Sequence, residues 1–314
     1  LKAYTEGEPM IALSTSFIST IISDGRQLLK ALARYDITHF ELDCRITRTQ
    51  FEQIKANLKN FPLQVSSLHN YCPFPHLKPK QPPGGDYFML SSTDRQERQL
   101  AVEWTQRTIE NANDMEAPVV VLHCGAVEMT PCHESVYNRF RAEGNTSEAL
   151  QELVSMEICR RRQHSTGHLD ALLFSLDRLL PVAEKYGVVM GLENRYHYFE
   201  MPDSDEFEMI FKTFDGAPVG YWHDTGHAHA QEMLGIVFQA ALLEVHGYRL
   251  AGLHLHDAKG LDDHLAPGLG QIEFGCLKGL LDPQRPLVIE LAPGTSQQDV
   301  SRAVAFAHEL IAGT

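Results

Sequence analysis

Carboxylate and imidazole side chains recur directly after short apolar segments of the sequence. Glu193, Asp224, His254 and Glu290 lie at or next to the ends of four such segments in the second half of the chain. Nitrogen and oxygen ligands of this kind, without a thiolate, suit Zn, Mn, Co or Mg better than copper(I) or an iron-sulfur cluster. Carboxylates that are crowded together without a cation repel one another or take up protons. We therefore predict a divalent metal site where the fold brings these residues together, with a metal-free polar pocket as the alternative.

Short segments rich in β-branched residues alternate with longer segments of helical period along the chain. This alternation is typical of parallel βαβ units, and eight units predict a single (β/α)8 TIM barrel of the α/β class. The main rival, a doubly wound open sheet, usually carries a glycine-rich turn after an early strand, and this sequence has none. The predicted strands are residues 10–14, 38–42, 63–68, 119–123, 188–193, 219–222, 250–256 and 287–291.

Polar residues able to bind a metal follow seven of these predicted strands. A barrel delivers the C-terminal ends of all its strands to one shared mouth, where its active site lies. An isolated histidine at a strand end is usually a hydrogen-bonded structural residue, but recurrence at the same end of successive strands favours a functional cluster. The residues concerned are Glu41, His69, His123, Glu193, His223, Asp224, His254, His256, Asp257 and Glu290.

Helical spacing is clear between the strands, for example at Met233, Val237, Ala241 and Val245. Two long loops interrupt the rhythm after strands three and four, at residues 72–85 and 128–168, and a helical portion is expected over 147–162. Both loops should lie over the same end of the barrel, which favours a lid or substrate-recognition role. Because no linker separates two halves, residues 1–314 are interpreted as one domain.

The composition indicates an ordinary globular protein, with 43% hydrophobic and 22% charged residues. A formal charge of −14 disfavours nucleic acid as a partner and favours a small molecule. Six cysteines without a CxxC pair suit reduced thiols and a cytoplasmic location. The sequence has neither an apolar run long enough for a membrane span nor the order of a signal peptide, so we expect no membrane partner.

The motifs around the strand ends resemble the xylose isomerase-like TIM barrel superfamily. The resemblance covers residues 63–293 in ordered strings: LHNY, VVLHCG, GLENR, HDTGHAHA, HLHDAKG, DDHLAPGLGQIEF and VIELAP. That superfamily contains sugar and sugar-phosphate isomerases and epimerases, and also apurinic-site nucleases of the endonuclease IV type. Such barrels frequently form dimers or tetramers, which makes a homo-oligomer an expectation here too, although no stretch of the sequence identifies an interface.

The resemblance implies two alternative metal sites. In the isomerase and epimerase branch, one divalent ion is held at positions that match Glu193, Asp224, His254 and Glu290. In the nuclease branch, three ions use further ligands, and those matching positions are His69, His123, His227, Asp262 and His264. These five residues either bind metal or contact a polyhydroxylated substrate, and both alternatives stay open.

The resemblance favours a metal-dependent isomerase or epimerase acting on a sugar, a sugar phosphate or a related polyhydroxy compound. In that interpretation Glu193 and Glu290 are catalytic and move a proton next to a carbonyl, while His227, His256 and Lys259 are candidate substrate contacts. The alternatives are a zinc-cluster phosphodiesterase resembling endonuclease IV and a non-catalytic sugar-binding barrel.

Overall fold

Eight parallel strands close into a barrel in the computed structural model, which describes residues 10–77 and 81–313. The order around the barrel follows the chain, and the closing contact joins the first strand to the last. The barrel strands are β1 (Ile11–Ser14), β2 (His39–Leu42), β3 (Gln64–His69), β4 (Val119–Leu122), β5 (Val189–Glu193), β6 (Val219–Asp224), β7 (Leu250–Leu255) and β10 (Leu287–Ile289). The predicted (β/α)8 barrel is confirmed, and the predicted strand limits agree with these to within two residues.

The barrel interior is filled by small and β-branched side chains around one large aromatic residue, Trp222. Trp222 packs against Val121 and Val288 and is fully buried. The neighbouring strands β5 and β7 carry glycines where they face the indole, so no side chain occupies that space. A Cβ at Gly252 would lie 2.3 Å from Trp222 Cζ3, and a Cβ at Gly191 would lie 3.1 Å from Cε3. The interior is therefore a packed core, as is usual for this barrel.

Helices cover the outside of the barrel, and two features differ from the sequence prediction. The stripe from Met233 to Val245 does not form one helix, because Gly235 with its positive φ of 72° separates two helices. In addition, β7 is followed by an antiparallel hairpin of β8 (Asp257–Lys259) and β9 (Asp262–Leu265) and a 3-10 turn, and residues 256–286 contain no α-helix. The helices are α1 (Gly25–Leu32), α2 (Arg48–Asn57), α3 (Arg95–Asp114), α4 (His133–Glu143), α5 (Glu148–Tyr186), α6 (Ser204–Thr213), α7 (Thr225–Met233), α8 (Gln239–His246) and α9 (Gln297–Ala312).

The long connections after β3 and β4 differ in kind. The described residues of the predicted loop 72–85 are irregular, as expected, and residues 78–80 lie outside the described part. The connection after β4 is mostly helical, because α4 fills its middle and the helix predicted over 147–162 extends as α5 to Tyr186. The inserted helices share a second apolar core with the hairpin and the loop after β5, through residues that include Tyr137, Val154, Tyr198 and Leu261.

One buried cation holds this insertion to the barrel. Arg161 of α5 is almost fully buried, and its guanidinium donates to Asp203 at 2.7 Å and to Glu206 at 2.6 and 3.0 Å. Asp203 and Glu206 also form the capping box that starts α6. The basic run at 160–162 is therefore partly a structural anchor.

Within the described residues, no helix is both long and apolar enough to cross a membrane.

Candidate metal centre

Four of the predicted ligands converge at the C-terminal mouth of the barrel and form what we call the central donor group: Glu193, Asp224, His254 and Glu290. One ligand atom from each lies within 4.8 Å of the others, and all four residues are buried. His254 Nδ1 lies 2.8 Å from Glu193 Oε1, 3.1 Å from Glu290 Oε2 and 3.6 Å from Asp224 Oδ2. Three carboxylates thus face one imidazole nitrogen, and this donor set fits a divalent ion.

Strand register and a helix cap position the group. Asp224 and His254 are directly paired between β6 and β7, and Glu193 pairs with Trp222 between β5 and β6. Asp224 also caps α7, because its Oδ1 accepts the His227 backbone N–H at 2.7 Å. Asn194 accepts the Asp224 backbone N–H at 2.7 Å. Both the backbone and the carboxylate of Asp224 are therefore held in place by the fold.

Glu41 contacts the second ring nitrogen of His254 and supports this histidine from behind. His254 Nε2 lies 3.2 Å from both carboxylate oxygens of Glu41, and Ser67 Oγ donates to Glu41 Oε2 at 2.8 Å. A carboxylate behind the imidazole is the usual support of a metal-ligating histidine. Burial opposes protonation of His254, but Glu290, Glu41 and Glu193 outweigh it and raise its pKa well above the usual value. The sequence marked Glu41 only as a polar residue at a strand end.

A second donor group consists of His69, His123 and Glu193. Glu193 Oε2 lies 2.8 Å from His123 Nε2 and 3.4 Å from His69 Nε2. The other ring nitrogens are also engaged, since His123 Nδ1 lies 2.9 Å from Asp86 and His69 Nδ1 lies 3.1 Å from the Asn70 carbonyl oxygen. Burial and Arg195 oppose a charge on His123, but Asp86 and Glu193 raise its pKa to about 9. Glu193 is shared with the central donor group.

A third donor group consists of His227, Asp263 and His264, which corrects one predicted residue. The resemblance matched Asp262, together with His264, to metal-ligand positions. Side chains two apart share a face of a regular strand, but His264 has a positive φ of 56°, and the exposed Asp262 is not in the group. Asp263 takes its place. His227 Nδ1 lies 3.0 Å from the Asn194 carbonyl oxygen, which leaves its Nε2 to face the group.

Two predicted substrate contacts have different surroundings from those expected. His256 is fully buried, its Nε2 lies 3.0 Å from Asp224 Oδ2, and its Nδ1 accepts the His264 backbone N–H at 2.9 Å. Both ring nitrogens are thus engaged within the protein, and the contact with Oδ2 makes His256 a support of Asp224. Lys259 is exposed on the hairpin, opposite Asp262.

Asp257, another polar residue at the end of β7, accepts hydrogen bonds from four backbone N–H groups and orders the turn at 266–272.

A family model described as a xylose isomerase-like TIM barrel matches residues 29–307. The chain belongs to this family. The chain is 27% identical over 209 residues to an uncharacterized protein of Methanocaldococcus jannaschii. The aligned segment covers 65% of this chain and 56% of that protein. The chain therefore aligns with little more than half of that relative's length.

Solved structures share the xylose isomerase-like fold with this chain at low identity. A D-tagatose 3-epimerase-like protein is 20% identical with a TM-score of 0.66, over 96% of this chain and 97% of that one. D-allulose 3-epimerase from Methylomonas sp. in complex with D-allulose is 13% identical with a TM-score of 0.67, over 96% and 97%. A Thermus thermophilus protein soaked with ZnCl2 is 18% identical with a TM-score of 0.61, over 97% and 99%. At these identities the likeness concerns the fold.

The sequence prediction missed three charged residues beside the second donor group. Arg195 Nη2 donates to Asp86 at 2.8 Å and to Glu200 at 2.9 Å, and Nη1 lies 3.8 Å from Glu193 Oε2. Asp86 comes from the loop after β3, while Arg195 and Glu200 come from the loop after β5. The available signal was the position of Arg195 two residues after Glu193 in the GLENR string. Asp86 and Glu200 belong to no recognisable pattern.

Proposed function

We propose that the chain is a divalent-metal-dependent isomerase or epimerase that moves a proton next to the carbonyl of a sugar or a related polyhydroxy compound. The observation that carries this proposal is the central donor group, in which three buried carboxylates face His254 Nδ1. The fold shared with a D-tagatose 3-epimerase-like protein and a D-allulose 3-epimerase supports a carbohydrate substrate.

Glu193, Asp224, His254 and Glu290 would hold the ion. When bound, a divalent ion there supplies positive charge that polarises a substrate carbonyl and the adjacent hydroxyl. The residues that hold the group are already oriented by Glu41, His256 and the backbone of α7, so ion binding needs little rearrangement of the strands. Mn, Zn, Co and Mg all suit this donor set.

Glu193 and Glu290 are the proposed acid and base. One carboxylate takes the proton from the carbon next to the carbonyl, and the electron pair moves onto the carbonyl oxygen. The other carboxyl group, protonated beforehand from solvent, gives its proton to carbon, either on the opposite face or at the neighbouring carbon. Burial opposes ionisation of Glu290, but His254, His264 and His69 lower its pKa to about 2, so it is ionised at neutral pH. His227 remains the proposed substrate contact.

Solvent deuterium exchange tests this function directly. The protein, loaded in turn with Mn2+, Co2+, Mg2+ or Zn2+, is incubated in D2O with a panel of ketoses, aldoses, sugar acids and sugar phosphates, and NMR reports deuterium at carbon. Glu193→Gln and Glu290→Gln should abolish exchange, whereas Glu103→Gln, on the exposed face of α3, should not. Exchange that persists in both site variants, or a wild-type protein that exchanges no member of the panel, would contradict the proposal.

A second candidate, a zinc-cluster phosphodiesterase, is favoured by one specific observation. The three donor groups are connected through Glu193 and through neighbouring histidines, and His69, His123 and His227 each have one ring nitrogen bound to a carbonyl or carboxylate oxygen. This arrangement is typical of metal-ligating histidines. Elemental analysis separates the candidates, since about three tightly bound zinc ions with cleavage of abasic-site DNA would support the hydrolase. A protein that binds sugars but turns over neither substrate class would support the non-catalytic alternative.

A further inference from the structure

We propose that Arg195 is a further substrate-binding residue that donates hydrogen bonds to the oxygen on which negative charge develops. This inference rests on the proposed function, because that reaction places charge on a carbonyl oxygen beside Glu193. Arg195 follows Glu193 by two residues at the end of β5, and only 5% of it is exposed. Its guanidinium lies beside the second donor group, with Nη1 3.8 Å from Glu193 Oε2, and away from bulk water.

Among the described residues, Arg195 is held by hydrogen bonds from one guanidinium nitrogen, Nη2. Nη2 donates to Asp86 Oδ2 at 2.8 Å and to Glu200 Oε1 at 2.9 Å. Asp86 also contacts His123, and Glu200 accepts the His197 backbone N–H at 2.8 Å, so both anchors are themselves fixed. The orientation of the guanidinium is thus determined without any contribution from Nη1 or Nε.

The other two nitrogens of the guanidinium make no hydrogen bond to the described part of the protein. Within the described residues, Arg195 Nε and Nη1 have no hydrogen-bond partner, and neither has Asp86 Oδ1. Nη1 approaches Glu193 Oε2 only to 3.8 Å, which is too long for a hydrogen bond. Buried charged donors are rarely left unpaired, because the lost hydration is not replaced. Donors that are held in place and unpaired next to a reacting carboxylate indicate a ligand oxygen as their partner.

The chemistry of the site favours an oxygen that becomes negative during the reaction. Arg195 carries a positive charge, because a guanidinium does not lose its proton in proteins. A donor that is already oriented stabilises developing charge without reorganisation. The alternative is a clamp that only holds the loop after β3 to the barrel. A clamp explains the two hydrogen bonds of Nη2 but not why Nη1 is held in place without a hydrogen bond of its own.

Oxalate, a planar dianion with adjacent oxygens, is the probe for this inference. Isothermal titration with oxalate is carried out on Mn2+-loaded protein, and metal analysis after each titration checks that the ion is retained. Arg195→Met should raise the Kd for oxalate by at least about tenfold. Arg195→Lys keeps the charge but loses the two-nitrogen fork, so its Kd should be more than twofold above that of the wild type and below that of the methionine variant.

The matched control is Arg161→Lys. Arg161 is also a buried arginine held by two carboxylates, but it belongs to the α5 anchor and not to the metal centre. Its substitution should lower stability and leave the Kd for oxalate unchanged. If Arg195→Met fails to fold or to retain Mn2+, Arg195→Lys decides the question.

The outcomes separate this inference from the proposed function. An oxalate Kd within twofold of the wild-type value in a folded, Mn2+-loaded Arg195→Met or Arg195→Lys variant would overturn the role of Arg195. Deuterium exchange into a sugar with unchanged kcat and KM in Arg195→Met would do the same and leave the proposed function standing. Oxalate binding that depends on Arg195, in a protein that exchanges no sugar, would support the anion contact and count against the proposed function.

Discussion

Substitution of Glu41 by glutamine is expected to weaken Mn2+ binding at the central donor group. Glu41 is fully buried, and each of its carboxylate oxygens lies 3.2 Å from His254 Nε2. A proton held between Glu41 and Nε2 leaves the lone pair on Nδ1, which is the nitrogen that faces Glu193. The glutamine amide oxygen accepts the same hydrogen bond but carries no charge, so the imidazole becomes a weaker ligand.

The magnitude follows from the type of support that is lost. Loss of a partner behind a metal-ligating histidine costs about 10- to 100-fold in metal affinity, or about 1.4–2.7 kcal/mol. Ser67→Ala is the matched control, because it removes the 2.8 Å hydrogen bond to Glu41 Oε2 and leaves the carboxylate in place. Its effect on the Kd for Mn2+ should be smaller than that of Glu41→Gln, since only a neutral donor is lost.

The assay is a titration of EDTA-treated protein with Mn2+, followed by EPR of the free ion and by calorimetry at a fixed, mildly alkaline pH. Circular dichroism and the Tm of the metal-free variants check that the barrel is intact. A Kd within twofold of the wild-type value for Glu41→Gln would refute the reasoning, because His254 would then not depend on the carboxylate behind it. An equal loss in Ser67→Ala would refute the assignment of the effect to charge.

Three further predictions concern stability and metal binding. Arg161→Met should lower the free energy of unfolding by about 3–5 kcal/mol, measured by urea denaturation, because the buried Glu206 carboxylate loses its cation. Gly85→Ala should destabilise the protein by about 1–3 kcal/mol, as its Cβ would lie 2.5 Å from His123 Nδ1, whereas Gly84→Ala, with nothing within 4 Å, should be neutral. Since neighbouring carboxylates raise the pKa of His254 against the effect of burial, metal binding should release at least one proton at neutral pH and tighten as the pH rises. Calorimetry in buffers of different ionisation enthalpy measures that release.

The barrel and its mouth could be predicted because two regular signals coincide in the sequence. The alternation of strands and helices indicated the fold, and polar residues at successive strand ends indicated the mouth. Glu193, Asp224, His254 and Glu290 converge as predicted because parallel strands in register bring their ends together. These positions follow from the geometry of the barrel, so local sequence is enough to find them.

Residues in the loops could not be predicted in the same way. The choice between Asp262 and Asp263 depends on the positive φ of His264, and sequence spacing does not report a backbone angle. Arg195 meets Asp86 across 109 positions of the chain, through a loop whose path follows no regular period. The roles of such residues depend on tertiary contacts, which have no counterpart in a local motif.

Metal count and reaction class are linked in this site through the two oxygens of Glu193. Oε1 faces the central donor group at His254, whereas Oε2 faces His123 and His69 of the second donor group. An ion held by each group would engage both oxygens and make Glu193 a bridging ligand, which leaves it unable to accept a proton. Proton transfer by Glu193 would therefore require that Oε2 not be held by an ion in the second donor group. Hydrolysis has the opposite requirement, because neighbouring ions would share the charge of a phosphodiester and its attacking hydroxide.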